Sequence, residues 1–178
     1  MINEEARLLR SALRYEEGHA RRTQHILKVY ALAKLFGEEE KLSDEDRQIL
    51  QAAAILHDIA IKYCKEHGSG DAGQERQREA APRLVAQFLS EANYLPAYAP
   101  KILDLVLRHH DYDHDRSRLL QLLMEADLIV NCFENPPDEK QAERIRGLFQ
   151  TGGGIELLSL CLKESRKRQA PAGGDDRP

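Results

Sequence analysis

His25, the adjacent pair His57-Asp58, and Asp127 are the side chains of this 178-residue chain best equipped for chemistry. All four are metal-ligand types, and three of them fall where a helical pattern calls for an apolar residue. Between residues 21 and 36, His25, Val29, Leu32 and Phe36 recur at i, i+4, i+7 and i+11, so His25 lies on an apolar stripe. Leu50, Ala54, His57 and Ile61 repeat that spacing, and Asp58 lies about 100° further round the same helix, within reach of the same ion. In the segment 119–131, Leu120, Leu123, Asp127 and Val130 share one face, and Asp127 interrupts it.

A carboxylate turned into a core costs several kcal/mol unless it is paired or bound to a metal. Taken singly, His25 reads as a core imidazole and Asp127 as the partner of a buried arginine. Taken together, two imidazoles and two carboxylates on three separate apolar stripes read as the ligand set of a buried divalent ion. Two nitrogens and two oxygens suit Mn²⁺, Fe²⁺, Co²⁺, Ni²⁺ or Zn²⁺ better than Mg²⁺, which prefers more oxygens. Four protein ligands leave about two positions of an octahedral ion for water and a substrate oxygen, which is the arrangement for metal-assisted hydrolysis. Asp58 is the catalytic candidate, as a ligand that also orients the water or accepts its proton. For a substrate phosphate, Arg22 lies one turn before His25 and Lys62 one turn beyond Asp58.

The elements that must position these groups are helices, and no strand pattern stands out. Ala52-Ala53-Ala54-Ile55-Leu56 is apolar all round, so the His57 helix is central and buried; Ser43 is its expected N-cap, with Asp46 three residues on. Gly37 is read as the stop of the His25 helix. Residues 68–73 form a polar, glycine-rich loop suited to a lid. Helices follow over about 75–92, up to His110, and through Asp127 to the Pro136-Pro137 break. Two more lie near 138–150 and 155–167. His109 and His110 close an apolar helix carrying Leu103, Val106 and Leu107, so at least one points inward. Asp113 and His114 are placed at the entrance. Thr151-Gly152-Gly153-Gly154 lacks a following Lys-Ser/Thr and is a linker between helices, not a P-loop. The expected architecture is all-α, a compact single-domain bundle of about seven or eight helices over residues 1–168, with residues 169–178 a disordered tail.

Composition sets further bounds. With 42% hydrophobic residues the chain can bury one sizeable core. No apolar run approaches 18 residues and no signal-peptide pattern opens the chain, so a cytoplasmic protein without membrane contact is expected. Cys64, Cys132 and Cys161 fit no ligand or disulfide framework. The net charge of −4, with both signs interspersed, argues against a nucleic-acid polymer as partner but not against a small anion. As a protein partner, a second copy of the chain through the terminal helices is expected, giving a homodimer.

The order His25 … His57-Asp58 … Asp127 resembles the signature of the HD-domain metal-dependent phosphohydrolase superfamily. The contexts Arg22-Thr23-Gln24-His25, Ala53-Ala54-Ile55-Leu56-His57-Asp58-Ile59 and Glu125-Ala126-Asp127-Leu128-Ile129 carry the likeness, over roughly residues 20–135. The resemblance implies an all-helical fold, one or two divalent ions, and hydrolysis of a phosphate ester or anhydride of a small nucleotide-like substrate. It also implies that His109 and His110 help hold a second ion or the substrate phosphate. The further histidine that two-ion members place after the His-Asp pair is missing here, and Glu75 or Glu79 is the available substitute. Asp111-Tyr112-Asp113 stands where the cyclic-dinucleotide branch has Gly-Tyr-Pro, and Ile59-Ala60-Ile61-Lys62 lacks the acidic pair of the alarmone branch and the common Ile-Gly-Lys continuation. The alternatives within the resemblance are a di-iron oxygenase and a non-catalytic nucleotide-binding regulatory module.

Overall fold

A computed structural model describes residues 3–68, 72–112 and 115–169. Among the described residues nine α-helices and one 3-10 turn account for the regular structure, and there are no strands. The helices are α1 (Glu4–Tyr15), α2 (Ala20–Glu39), α3 (Asp44–Leu56), α4 (Ala60–His67), α5 (Gln74–Glu91), α6 (Ala99–Arg108), α7 (Arg118–Glu134), α8 (Glu139–Arg146) and α9 (Gly152–Gln169); the 3-10 turn is Pro96–Tyr98. The tail after residue 169, together with Asp113 and His114, lies outside the described residues, as do residues 69–71 of the loop read as a lid.

The centre is α3. Ser43 caps it by accepting a hydrogen bond from the Asp46 amide at 3.1 Å. From Ile49 to Leu56 every residue is buried, because α1, α2, α6 and α7 all pack against it. The second inner helix is α7, buried without interruption from Leu120 to Val130. Its sequence shows one apolar stripe toward the core, and α9 covers the opposite side.

Three boundaries differ from the sequence expectation. Gly37 does not stop α2, which runs on to Glu39 with Gly37 packed beside the Arg47 and Leu42 side chains. The His57 helix does not continue through Ile61. It ends at Leu56 and a new helix starts at Ala60. Residues 152–154 are not linker but the first turn of α9.

Glu125 explains that last boundary. Its carboxylate is fully buried on α7 and accepts hydrogen bonds from the Gln150 amide at 2.7 Å, the Thr151 amide at 3.1 Å, the Gln121 side chain at 2.7 Å and the Thr151 hydroxyl. It thus satisfies donors around the start of α9 with a negative charge. The approach is so close that a Cβ on Gly154 would overlap Glu125 Oε2. Removing this carboxylate strands several buried donors at once. Glu125→Ala is therefore expected to destabilise the fold by about 3 kcal/mol in urea denaturation; a loss below about 1 kcal/mol would show that α9 is held by other contacts.

Candidate metal centre

Two helix ends and two helix interiors converge on one point. His57 ends α3 and turns its Nδ1 back onto the Ala54 carbonyl at 2.8 Å. That carbonyl would otherwise accept the Asp58 amide, so the side chain competes with the helical ladder where the helix stops. The tight turn that follows presents His57 and Asp58 to the same space. His109 repeats the device at the end of α6, with Nδ1 on the Val106 carbonyl at 2.7 Å. From the interior of α2 comes His25, and from α7 Asp127, 1% exposed.

The potential ligand atoms are close. His25 Nε2 lies 3.1 Å from His57 Nε2 and 3.1 Å from Asp127 Oδ1. Asp58 Oδ2 lies 3.6 Å from His57 Nε2 and 3.8 Å from His25 Nε2, and His57 Nε2 is 3.7 Å from Asp127 Oδ1. Atoms each about 2.1 Å from a shared ion stand roughly 3.0–3.4 Å apart in octahedral or tetrahedral geometry, so the set is close to ligating dimensions.

Hydrogen bonding sets the tautomers. Nδ1 of His57 donates to a carbonyl, so the neutral ring offers a lone pair at Nε2. Nδ1 of His25 faces Glu134 Oε2 at 3.3 Å, so its Nε2 is likewise free to ligate. Two nitrogen lone pairs and a carboxylate oxygen then point at one spot, which requires a cation or a shared proton between them. Asp127 Oδ1 also accepts from Asn131 at 2.9 Å, whereas Oδ2 is buried with no partner among the described residues. Such an orphaned acceptor is costly, and a bound cation would relieve it.

The electrostatics agree. Burial pushes the Asp58 carboxyl up, but the imidazoles of His57 and His109 outweigh it and hold it well below the usual carboxylate range. Burial likewise opposes ionisation of Asp127, and the bond to His25 reverses the balance. His57, wholly enclosed, is pushed down by burial, toward the neutral form that a ligand needs. Burial pulls His25 down, yet Asp127, Asp58 and Glu134 lift it above its ordinary value.

The family model described as the HD domain matches residues 22–132, more than half of the chain. The chain belongs to the HD-domain family. HD domains bind divalent metals and are in general metal-dependent hydrolases, and the buried His/Asp group here could hold such an ion. Neither curated proteins nor solved structures yield a match.

Within this HD domain the other sequence-derived residues fall unevenly. His109 and His110 do come to the site: with Asp58 they form a second group whose ligand atoms lie within 4.8 Å of one another. Glu79 does not. On α5 the residues Gln74, Gln77, Arg78 and Ala81 face the histidines, whereas Glu79 is exposed and shares another groove with Tyr63, His67 and Arg83. Lys62 does not reach the site either. The break after Leu56 shifts the register of α4, so Lys62 turns to the Tyr15 carbonyl and ring and to Glu66. Arg22 does line the cleft above the metal site, but its Nε is bound at 2.6 Å by the buried Glu16.

The sequence reading missed Glu134, Asn131, Lys65 and Arg21. Asn131 and Glu134 lie four and seven residues after Asp127, on the same face of α7. Glu134 is held by Lys28 at 3.1 Å and Arg21 at 3.6 Å and orients His25 from behind. A carboxylate placed on the far nitrogen of a ligating histidine fixes its tautomer and raises its basicity. Glu134→Ala should weaken Mn²⁺ or Co²⁺ binding by roughly tenfold or more, read by competition with a chelating dye; unchanged affinity would make Glu134 a surface ion-pair partner only.

Proposed function

We propose that this HD domain hydrolyses a phosphate ester or anhydride of a small nucleotide-like molecule with water, using a divalent transition ion held by His25, His57, Asp58 and Asp127. One observation carries the reading: desolvated lone pairs and carboxylates converge at the floor of a cleft whose rim is cationic. The cleft has a volume of about 430 Å³ and is lined by His19, Arg21, Arg22, Lys65, Asn131 and Glu134 around His25 and Asp58. Its size suits a small molecule rather than a nucleic-acid polymer, and the net charge of −4 supports the same choice.

A bound divalent ion would supply Lewis acidity and lower the pKa of water in its shell. The chain does the rest. Lys65 makes no ion pair or hydrogen bond among the described residues and so is available to a phosphate at the mouth. Arg21 is shared with Glu134 and Asn135 and closes the opposite rim. Asp58 turns Oδ2 toward His25 and His57 and leaves Oδ1, 3.6 Å from His109 Nε2, to orient the attacking water and take its proton as the new P–O bond forms. Water adds to phosphorus, the bond to the leaving oxygen breaks as that oxygen takes up the proton, and the products are a phosphate and the alcohol or second phosphate. Among the described residues no helix is long and apolar enough to cross a membrane.

Asp58→Ala should lose both metal retention, by elemental analysis, and hydrolysis, by at least roughly 100-fold, across a panel of nucleoside phosphates, dinucleoside polyphosphates and simple phosphomonoesters. A variant that turns over at the wild-type rate would remove this site from the reaction.

A further inference from the structure

We propose that this chain pairs with a second copy of itself through the seam between α2 and α9, each copy laying the outer face of its α9 along the seam of the other. The inference does not depend on the hydrolase reading above.

The helices α2 and α9 touch each other and both pack on α7. Their register is fixed at one end, where a Cβ on Gly153 would overlap the Glu39 carboxylate. Toward the other end of α7, Lys28 of α2 reaches Glu134 at 3.1 Å and Cys161 of α9 donates to the Ile129 carbonyl at 3.7 Å. The two helices are therefore antiparallel, and both run away from the Glu39–Gly153 contact with the same rise per residue. Leu35 and Leu157, each four residues on, come level with each other, and so do Leu32 and Leu160, each seven residues on. Spacings of four and seven keep all four leucines on the faces turned to the seam. Each rung joins a half-buried leucine to an exposed one. Leu32 and Leu157 pack against the core, whereas Leu35 is 41% exposed and Leu160 52%. The seam is an apolar furrow that its own two helices only half close.

Charge selects the occupant. Along the outer face of α9 come Glu156, Ser159, Leu160 and Lys163, all exposed, with Leu160 shared between this face and the seam. The side chains of Glu156 and Lys163 make no ion pair or hydrogen bond among the described residues. A two-fold axis passing between Ser159 and Leu160 sets α9 antiparallel to the same helix of a second copy. Glu156 of each copy then stands opposite Lys163 of the other, and Leu160 of each settles on the small Ser159 of the other, beside its leucine rungs. Such a face is complementary to itself, which is what an isologous dimer requires and an unrelated helix would not supply. The cleft over the metal centre is lined by His19–His25 at the opposite end of α2, so the pairing leaves it open.

Sedimentation velocity on the full chain tests the pairing. An interface of one helix pair and its flanking seam is small and exchanges readily, so the measurement spans about 1 to 200 µM protein. Wild type should pass from monomer to dimer over that range. Leu160→Asp and Leu35→Asp, both at exposed positions, should weaken the dimer at least tenfold while the helical circular dichroism and the melting temperature stay near wild type. Glu156→Lys and Lys163→Glu should each weaken it, since each sets like charges opposite one another twice, and the double variant should recover affinity to within threefold of wild type. A wild type that stays monomeric throughout would overturn the proposal and leave the furrow to a foreign helix. A dimer indifferent to Leu160→Asp would place the contact elsewhere on the molecule and overturn it too. Single charge variants without effect, or a double variant without recovery, would contradict the two-fold arrangement itself.

Discussion

Nitrogen lone pairs and carboxylate oxygens do not gather in a protein interior without positive charge among them. His25 Nε2, His57 Nε2 and Asp127 Oδ1 lie 3.1–3.7 Å from one another; each ring is turned inward by a bond made on its far nitrogen, and Asp127 Oδ1 itself accepts from Asn131. Ala54 holds His57, Glu134 holds His25 and Asn131 holds Asp127. These outer bonds fix the tautomers and aim the rings, so the centre is preorganised by the fold. The cost of burying the groups is the same feature that gives the site its affinity for a cation, since a dry cavity screens their field poorly.

Much of the architecture serves to keep that convergence rigid. The inner helices α3 and α7, buried on all sides from Ile49 to Leu56 and from Leu120 to Val130, carry His57 and Asp127. The buried Glu125, two residues before Asp127, ties α7 to the start of α9, so the second inner helix is covered on the face away from the centre. Both histidine-bearing helix ends stop where an imidazole takes the i−3 carbonyl, which delivers two rings from two helices to opposite sides of Asp58. The outcome is one carboxylate with two different faces: Oδ2 toward the metal ligands and Oδ1 toward His109.

The legible part of this site was the part that breaks periodicity. His25, His57 and Asp127 stand out because a polar side chain at core spacing is conspicuous, and the same spacing places their helices. Lys62 was misplaced for a local reason. The His57 ring captures the Ala54 carbonyl, the helix ends, and the angle carried over from Asp58 no longer applies to α4; periodicity cannot register a bond between a side chain and the backbone. Glu79 failed on phase, since the face of α5 turned to the histidines carries Gln74, Gln77, Arg78 and Ala81. Glu134 was readable, seven residues after Asp127 on one face, but it lies at the very end of α7, beyond the segment taken as apolar. The coverage of α7 by α9 was not readable, because it depends on a buried glutamate and a run of glycines that resemble a linker.

Metal per chain is the most direct measure of whether the central convergence is a metal site. Elemental analysis of protein purified anaerobically, without chelators or a metal-binding tag, should find a transition ion at about one equivalent in wild type and none in a His57→Ala, Asp127→Ala double variant that remains folded. No metal in wild type, even after Mn²⁺ or Co²⁺ is added and the excess dialysed away, would contradict the account. His25, His57 and Asp127 would then be a proton-sharing cluster of the core.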